Sequence, residues 1–257
     1  MTLSPLRLSS LLLAATLLVT AASAKVTEKF SQTHPLPAGG TVALTNLNGD
    51  VEIVGWDKAE VSIEAEKSAR DADDLKRIEI IVEATADQVS IKTKHHKRDD
   101  ESWWRRHGDT FGAVHYVVHV PAQLARLKID AMNSNISTEK VRAAVKLETM
   151  NGRIRAIGLT GDAELDTMNG RIMASFDRLA AGQKVDVDTM NGQCEIFVPA
   201  DASARVTASS MNGRVSSELP MTLEKSSRRS LRGALGKGEA SLSLDSMNGS
   251  LSIRARS

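Results

Sequence analysis

The stretch "VKLETMNGRIRAIGLTG", Val145 to Gly161, places Met-Asn-Gly between two short runs in which apolar and polar residues alternate. In the first run Leu147 and Thr149 share one face and Glu148 takes the other. In the second, Ile154 points one way while Arg153 and Arg155 point the opposite way. The same arrangement recurs in "AELDTMNGRIMAS", "VDVDTMNGQCEIF", "VTASSMNGRVSSE" and "LSLDSMNGSLSIR". Aligned on the asparagine, the copies fall at Asn48, Asn133, Asn151, Asn169, Asn191, Asn212 and Asn248. From Asn133 onward the spacings are 18, 18, 22, 21 and 36 residues. A period near twenty residues is the mark of stacked repeat units. The last interval reads as two periods, with one coil near Ser230 lacking its Asn-Gly.

Each unit therefore reads as strand, corner, strand, turn. Asn and Gly tolerate positive φ, which a tight corner can demand. That argument assigns the corners to Asn48-Gly49, Asn151-Gly152, Asn169-Gly170, Asn191-Gly192, Asn212-Gly213 and Asn248-Gly249, with Asn133 as a partial copy. Asn-Gly between alternating runs is also a hairpin signal, which gives an antiparallel meander or sandwich as the alternative. A hairpin turn, however, places no demand on the residues before it. Here Met132, Met150, Met168, Met190, Met211 and Met247 all precede the asparagine, and the residue before each is Ala, Thr or Ser. Like residues stacked on like at about 4.8 Å explain that sameness. The expected fold is all-β, a parallel β-solenoid of coils about 18–22 residues long. Two surface columns follow: acids at Asp130, Glu148, Asp166, Asp188 and later Asp245, and bases at Arg153, Arg171 and Arg214, interrupted by Gln193.

Residues 1–24 read as a cleaved signal peptide, with Arg7 before the apolar run "LLLAATLLV" and "ASA" at the cleavage point. No segment of the mature chain is apolar for the twenty or so residues a membrane span needs. The expected location is exported, in the periplasm or on the cell surface. Losing Arg7 lowers Lys plus Arg from 33 to 32, which equals the 32 Asp plus Glu. No net field then recruits nucleic acid. Aromatic residues make up only 3% of the chain, which suits a core of thin aliphatic layers. Cys194 is the only cysteine, so no internal disulfide forms. It reads as a buried free thiol, with an outward-facing or intermolecularly bridged thiol as the alternative.

Residues 25–120 form a degenerate β-repeat region, and 121–257 form the Met-Asn-Gly region, continuous with it as one domain. In the first region "SARDADDLKR" reads as a helical turn or loop. "IEIIVEA", "QVSIKTK" and "AVHYVVHVP" read as strands. The loop at 95–112, "HHKRDDESWWRRHGDTFG", departs from the repeat. Its Trp103, Trp104, Arg105 and Arg106 are the residue types that dominate binding hot spots and stack on sugars. They are the first candidate ligand contacts, with Arg153, Arg171 and Arg214 second. His95, His96 and His107 lack a recognised ligand spacing, so neither a metal nor another cofactor is expected.

"GGTVALTNLNGDVEIVGWDKAEV", "VHVPAQLARLKIDAMNSNIST", "FVPADASARVTASSMNGRVSS" and "GKGEASLSLDSMNGSLSIR" occur in that order. In this order the chain resembles the bacterial exported, adhesin-like β-strand-repeat family with toast-rack-type domains, over nearly all of 36–257. The resemblance implies a solenoid-like fold and no known enzymatic role, and it supplies no catalytic residues. The expected function is a noncatalytic module that binds an envelope glycan or a membrane or envelope protein. An envelope-stress signalling accessory is the alternative. A polysaccharide-acting enzyme fits less well, because the acids recur with the coil instead of forming an isolated pair.

Overall fold

The computed structural model describes residues 25–96 and 112–256. The chain begins with β1 (Val26–Pro35), β2 (Thr41–Asn48), β3 (Val51–Trp56) and β4 (Glu60–Ala69). A short helix α1 (Ala72–Lys76) precedes β5 (Ile78–Ala84), β6 (Gln88–His95) and β7 (Ala113–Pro121). Next come β8 (Gln123–Asn133), β9 (Ile136–Glu139), β10 (Arg142–Asn151), β11 (Ile154–Leu159), β12 (Ala163–Phe176) and β13 (Lys184–Val198). The last six are β14 (Ala204–Ser210), β15 (Val215–Ser217), β16 (Thr222–Ser226), β17 (Ser230–Leu235), β18 (Ala240–Asn248) and β19 (Leu251–Ala255).

Two ladders run along the stack and meet at the Asn-Gly corners. The first reads β6, β2, β8, β10, β12, β13, β18, β14, with every neighbouring pair parallel. The second reads β7, β3, β9, β11, β12, β13, β19, β15, again parallel throughout. Strands β12 and β13 pass through the corner unbroken, so each serves both ladders. The parallel stack expected from the repeat is present. The antiparallel alternative appears only at the ends, where β5 pairs β6, β4 pairs β7 and β1, and β17 pairs β14 and β16. These antiparallel strands cover the outer edges of β6, β7 and β14, which would otherwise present unpaired backbone groups.

Alternation fills the space between the two ladders. Leu147 and Thr149 are buried with Leu165 and Thr167 beside them in register, and Ile154 and Ile172, paired in the second ladder, are fully buried as well. Cys194 belongs to this inner face, fully buried in register with Ile172 and Leu251. Burial raises its thiol well above the usual range, so the outward-facing alternative is excluded. Tyr116 and Phe176 are the largest fully buried side chains. The Tyr116 hydroxyl lies 2.7 Å from Thr93 Oγ1, and burial pushes its pKa up to about 12. The polar stretch at 68–77 holds a helical turn at Ala72–Lys76, capped where the Asp71 side chain accepts from the Asp74 amide at 2.8 Å, while Ser68 and Ala69 still belong to β4.

Two expectations need correction. The interval from Asn212 to Asn248 does not hold a coil that lost its Asn-Gly. It holds the β16–β17 hairpin, which folds back antiparallel onto β14. The chain then returns so that β18 lies between β13 and β14, and β19 between β13 and β15. Order along the stack therefore differs from order along the chain.

The reason for the corner glycines also differs. Only Gly49 of the six has positive φ, and none of the ladder asparagines does. What the others need is close approach. A Cβ built on Gly152 would lie 1.9 Å from the Ser134 carbonyl oxygen, and on Gly170 1.7 Å from that of Gly152. On Gly192 it would lie 1.6 Å from the Gly170 oxygen, on Gly249 1.6 Å from Gly192, and on Gly213 1.8 Å from Gly249. The corners stack backbone on backbone, and no side chain fits between them.

Candidate functional site

The outer face of the first ladder follows from the same parity that builds the core. With Leu147 and Thr149 inside, Glu148 and Met150 must be outside. Asp130 pairs with Glu148, Glu148 with Asp166, Asp166 with Asp188, and Asp188 with Asp245. Five carboxylates thus stand in one uninterrupted column, because β18 sits next to β13. Two residues along each strand stands a methionine. Met132, Met150, Met168, Met190 and Met247 are 39–43% exposed, and Met211 is 62% exposed. Carboxylates and methionines together line an open groove of about 740 Å³. The sequence reading used the methionines only as evidence of stacking and missed them as surface. The signal that finds them is their parity with the acids.

Charge is uneven along the groove. At one end Lys146 bridges Glu148 at 3.1 Å and also pairs with Glu164, which raises the lysine's own pKa. Oxygen atoms of Glu148, Glu164 and Asp166 lie within 4.8 Å of one another, but Lys146 already occupies that cluster as its counter-charge. Further along, Asp166, Asp188 and Asp245 form no ion pair among the described residues. Ser209 donates to Asp245 at the far end. Desolvation, then the Asp188 charge and those of Glu164 and Glu148, push the Asp166 carboxyl up to about 6. Asp188 is raised by burial and by Asp245 and Asp186.

A carboxyl whose folded pKa exceeds its unfolded value holds its proton more tightly in the folded state. Its effect on stability is therefore unfavourable at neutral pH and fades as pH falls through about 6 towards the ordinary 3.8. Thermal melting should rise between pH 7.5 and pH 5. The Asp166→Asn variant should melt higher than wild type at pH 7.5 and show a flatter profile over that range. Parallel profiles for the two proteins would show that Asp166 does not carry the charge strain.

At the inner edge of the methionine column the asparagine side chains form their own ladder. Each amide nitrogen donates to the Oδ1 of the preceding asparagine: Asn133 to Asn48, Asn151 to Asn133, Asn169 to Asn151 and Asn191 to Asn169. Asn248 then donates to Asn191 and Asn212 to Asn248, all six bonds lying at 2.8–3.0 Å. Asn48 ends the series by donating to the Gly112 carbonyl at 3.3 Å.

The other candidates are placed as follows. Arg153 and Arg171 are exposed on adjacent coils, and Arg171 donates to Gln193 at 2.8 Å. Arg214 is separated from them by two coils, because Ser250 as well as Gln193 intervenes. The expected basic column is therefore broken. Trp103, Trp104, Arg105, Arg106 and His107 lie outside the described residues. Their flanks do have a place: β6 and β7 form the terminal coil, so 96 and 112 flank the position where other coils carry Asn-Gly. His96 Nε2 lies 2.8 Å from Glu79. His95 has its pKa lowered by burial. His115 and His119 share the outer face of β7: His115 accepts from the Asp50 amide at 3.2 Å, and His119 stacks on Trp56 at 5.1 Å.

The sequence model of the Toastrack DUF4097 family matches residues 35–254. The chain belongs to that family. No curated protein matches it by sequence. Among solved structures, a candidate cell-adhesion protein from Clostridium sporogenes is similar at 11% identity and TM-score 0.48, covering 89% of this chain and 100% of that one. A candidate adhesin from Bacteroides fragilis is similar at 8% identity and TM-score 0.43, covering 89% and 97%. One from Parabacteroides distasonis is similar at 11% identity and TM-score 0.35, with the same coverage. No residue role passes from these proteins to this Toastrack chain. No helix of the described residues is long and apolar enough to cross a membrane.

Proposed function

We propose that this chain is an exported, noncatalytic binding module of the cell envelope, and that the methionine–carboxylate groove is its ligand-reading face. The observation that carries the reading is the exposure of the whole methionine column beside Asp166, Asp188 and Asp245, which form no ion pair among the described residues. Contiguous exposed apolar surface rimmed by polar groups marks interaction sites. Methionine suits such a site because its flexible thioether adapts to the partner. A rigid repetitive face also fits a long ligand, since every coil offers the same groups. Periodic carboxylates favour binding over hydrolysis, which needs one acid/base pair set apart from its neighbours.

The test is capture of envelope material on immobilised protein comprising residues 25–257. Peptidoglycan, surface polysaccharide and solubilised membrane proteins are passed over separately. An Asp166→Asn, Asp188→Asn variant and a Trp103→Ala, Trp104→Ala variant run beside the wild type. The groove reading expects one fraction to be retained by the wild type and lost by the aspartate variant. Equal retention by both moves the site away from the groove. Loss by the tryptophan variant alone moves it to the 95–112 loop.

A further inference from the structure

Resting on that reading of the groove, we infer that its ligand is a basic amphipathic α-helix lying along the stack, one helical turn per coil. The groove presents two parallel columns, thioethers in one and carboxylates in the other, both repeating once per coil. Coils repeat at about 4.8 Å. An extended peptide laid along the columns brings its same-side residues round only every ~6.7 Å, so it falls out of step by the second coil. An α-helix returns a side chain to the same side every ~5.4 Å. Over the roughly 19 Å from Asp130 to Asp245 the mismatch accumulates to about half a repeat. Lysine and arginine side chains are long enough to absorb that.

The lateral dimension agrees. The two columns are two residues apart on each strand, roughly 6.8 Å, and a helix about 10–12 Å across sets two adjacent stripes over them. The apolar stripe faces Met168, Met190 and Met247, and the cationic stripe faces Asp166, Asp188 and Asp245. The sign is set by charge complementarity, because Asp188 and Asp245 form no ion pair among the described residues and Asp166 has only the field of Lys146, which itself bridges Glu148 and Glu164. An anionic helix, a neutral polysaccharide or an acidic lipid surface would leave them unpaired and desolvated, which is costly.

The probe is a fluorescently labelled 18-residue peptide with a leucine stripe next to a lysine stripe at helical spacing. A peptide of identical composition in scrambled order controls for charge alone. Anisotropy with the full chain should give at least roughly tenfold tighter binding for the patterned peptide, with a rise in helical circular dichroism on mixing. Binding should weaken roughly tenfold in Asp166→Asn, Asp188→Asn and again in Met168→Gln, Met190→Gln. Thermal melts of both variants confirm that they are folded, and the aspartate variant relieves repulsion, so its fold is not at risk. Equal affinity for the scrambled peptide overturns the proposal, as does wild-type affinity in either variant. Tighter retention on phosphatidylglycerol vesicles than on the peptide also overturns it. If envelope capture still depends on the groove aspartates while the patterned peptide fails, the binding-module reading stands and the helical ligand is rejected. If both fail, both are rejected.

Discussion

Gly192→Ala should unfold the protein at a far lower denaturant concentration than wild type, with a loss of at least about 3 kcal/mol, the upper end of overpacking costs. Its added Cβ would lie 1.6 Å from the Gly170 carbonyl oxygen. The obstructing atom is backbone, and the ladder on both sides holds it. Gly170 and Gly192 are paired directly in β12 and β13, and Thr189 and Gln193 flank the site in register. Relief requires moving two coils apart, which stretches their hydrogen bonds, and the strain passes to Gly152 and Gly249 in the same column. Gly182→Ala is the internal comparison. Gly182 has φ +80 with nothing within 4 Å of the added Cβ, so its cost is only the left-handed backbone, about 1–2 kcal/mol. Urea denaturation followed by circular dichroism should place Gly182→Ala modestly below wild type and Gly192→Ala far below both. Equal shifts would mean that the corner backbone can part freely and that the glycine column is not required.

That contrast also shows what the sequence could reveal. Alternation in "VKLETM" and "RIRAI" decides which side chains face inward, and Leu147, Thr149 and Ile154 are buried as the pattern requires. The recurrence of Met-Asn-Gly decides the parallel stack, because equal neighbours must lie in register. The cause of the glycines was not legible. Asn-Gly permits positive φ in any chain, but the need for close approach depends on an adjacent coil that local sequence does not contain. Stack order was hidden for a similar reason. Spacing between repeats measures chain length, and 36 residues fit two coils as well as they fit a hairpin followed by a return. Only the pairing of Asp188 with Asp245 reveals that the acid column is continuous, and only the place of β19 between β13 and β15 adds Ser250 to Gln193 as a break in the arginine column. The groove itself was half legible. The acids are visible as a column, but the methionines two residues away served only as evidence that like residues stack on like, although their parity with the acids places them on the same outer face.

Asn169→Ala should cost about 1–3 kcal/mol, roughly twice the cost of Asn212→Ala. Asn169 donates to Asn151 and accepts from Asn191, both at 2.9 Å, so its truncation removes two bonds of about 0.5–1.5 kcal/mol each. Asn212 is the last member of the ladder; its side-chain amide donates to Asn248 at 3.0 Å and accepts from no further asparagine. Truncating it removes one bond. Stacked asparagines polarise one another when every amide points the same way, which predicts a ratio slightly above two. Asn169→Asp separates hydrogen bonding from shape. The carboxylate still accepts from Asn191, but it has no donor for Asn151 Oδ1 and sets oxygen against oxygen. It should be less stable than Asn169→Ala at pH 7. Protonation restores a donor, so the variant should recover towards wild type as pH falls below the ordinary carboxylate range. Denaturation midpoints at pH 7 and pH 3.5, each referred to wild type at the same pH, provide the readout. An Asn169→Asp deficit that does not shrink on acidification would show that the amides stack without bonding in series. Equal costs for Asn169→Ala and Asn212→Ala would show that the ladder's interior bonds contribute nothing beyond its end.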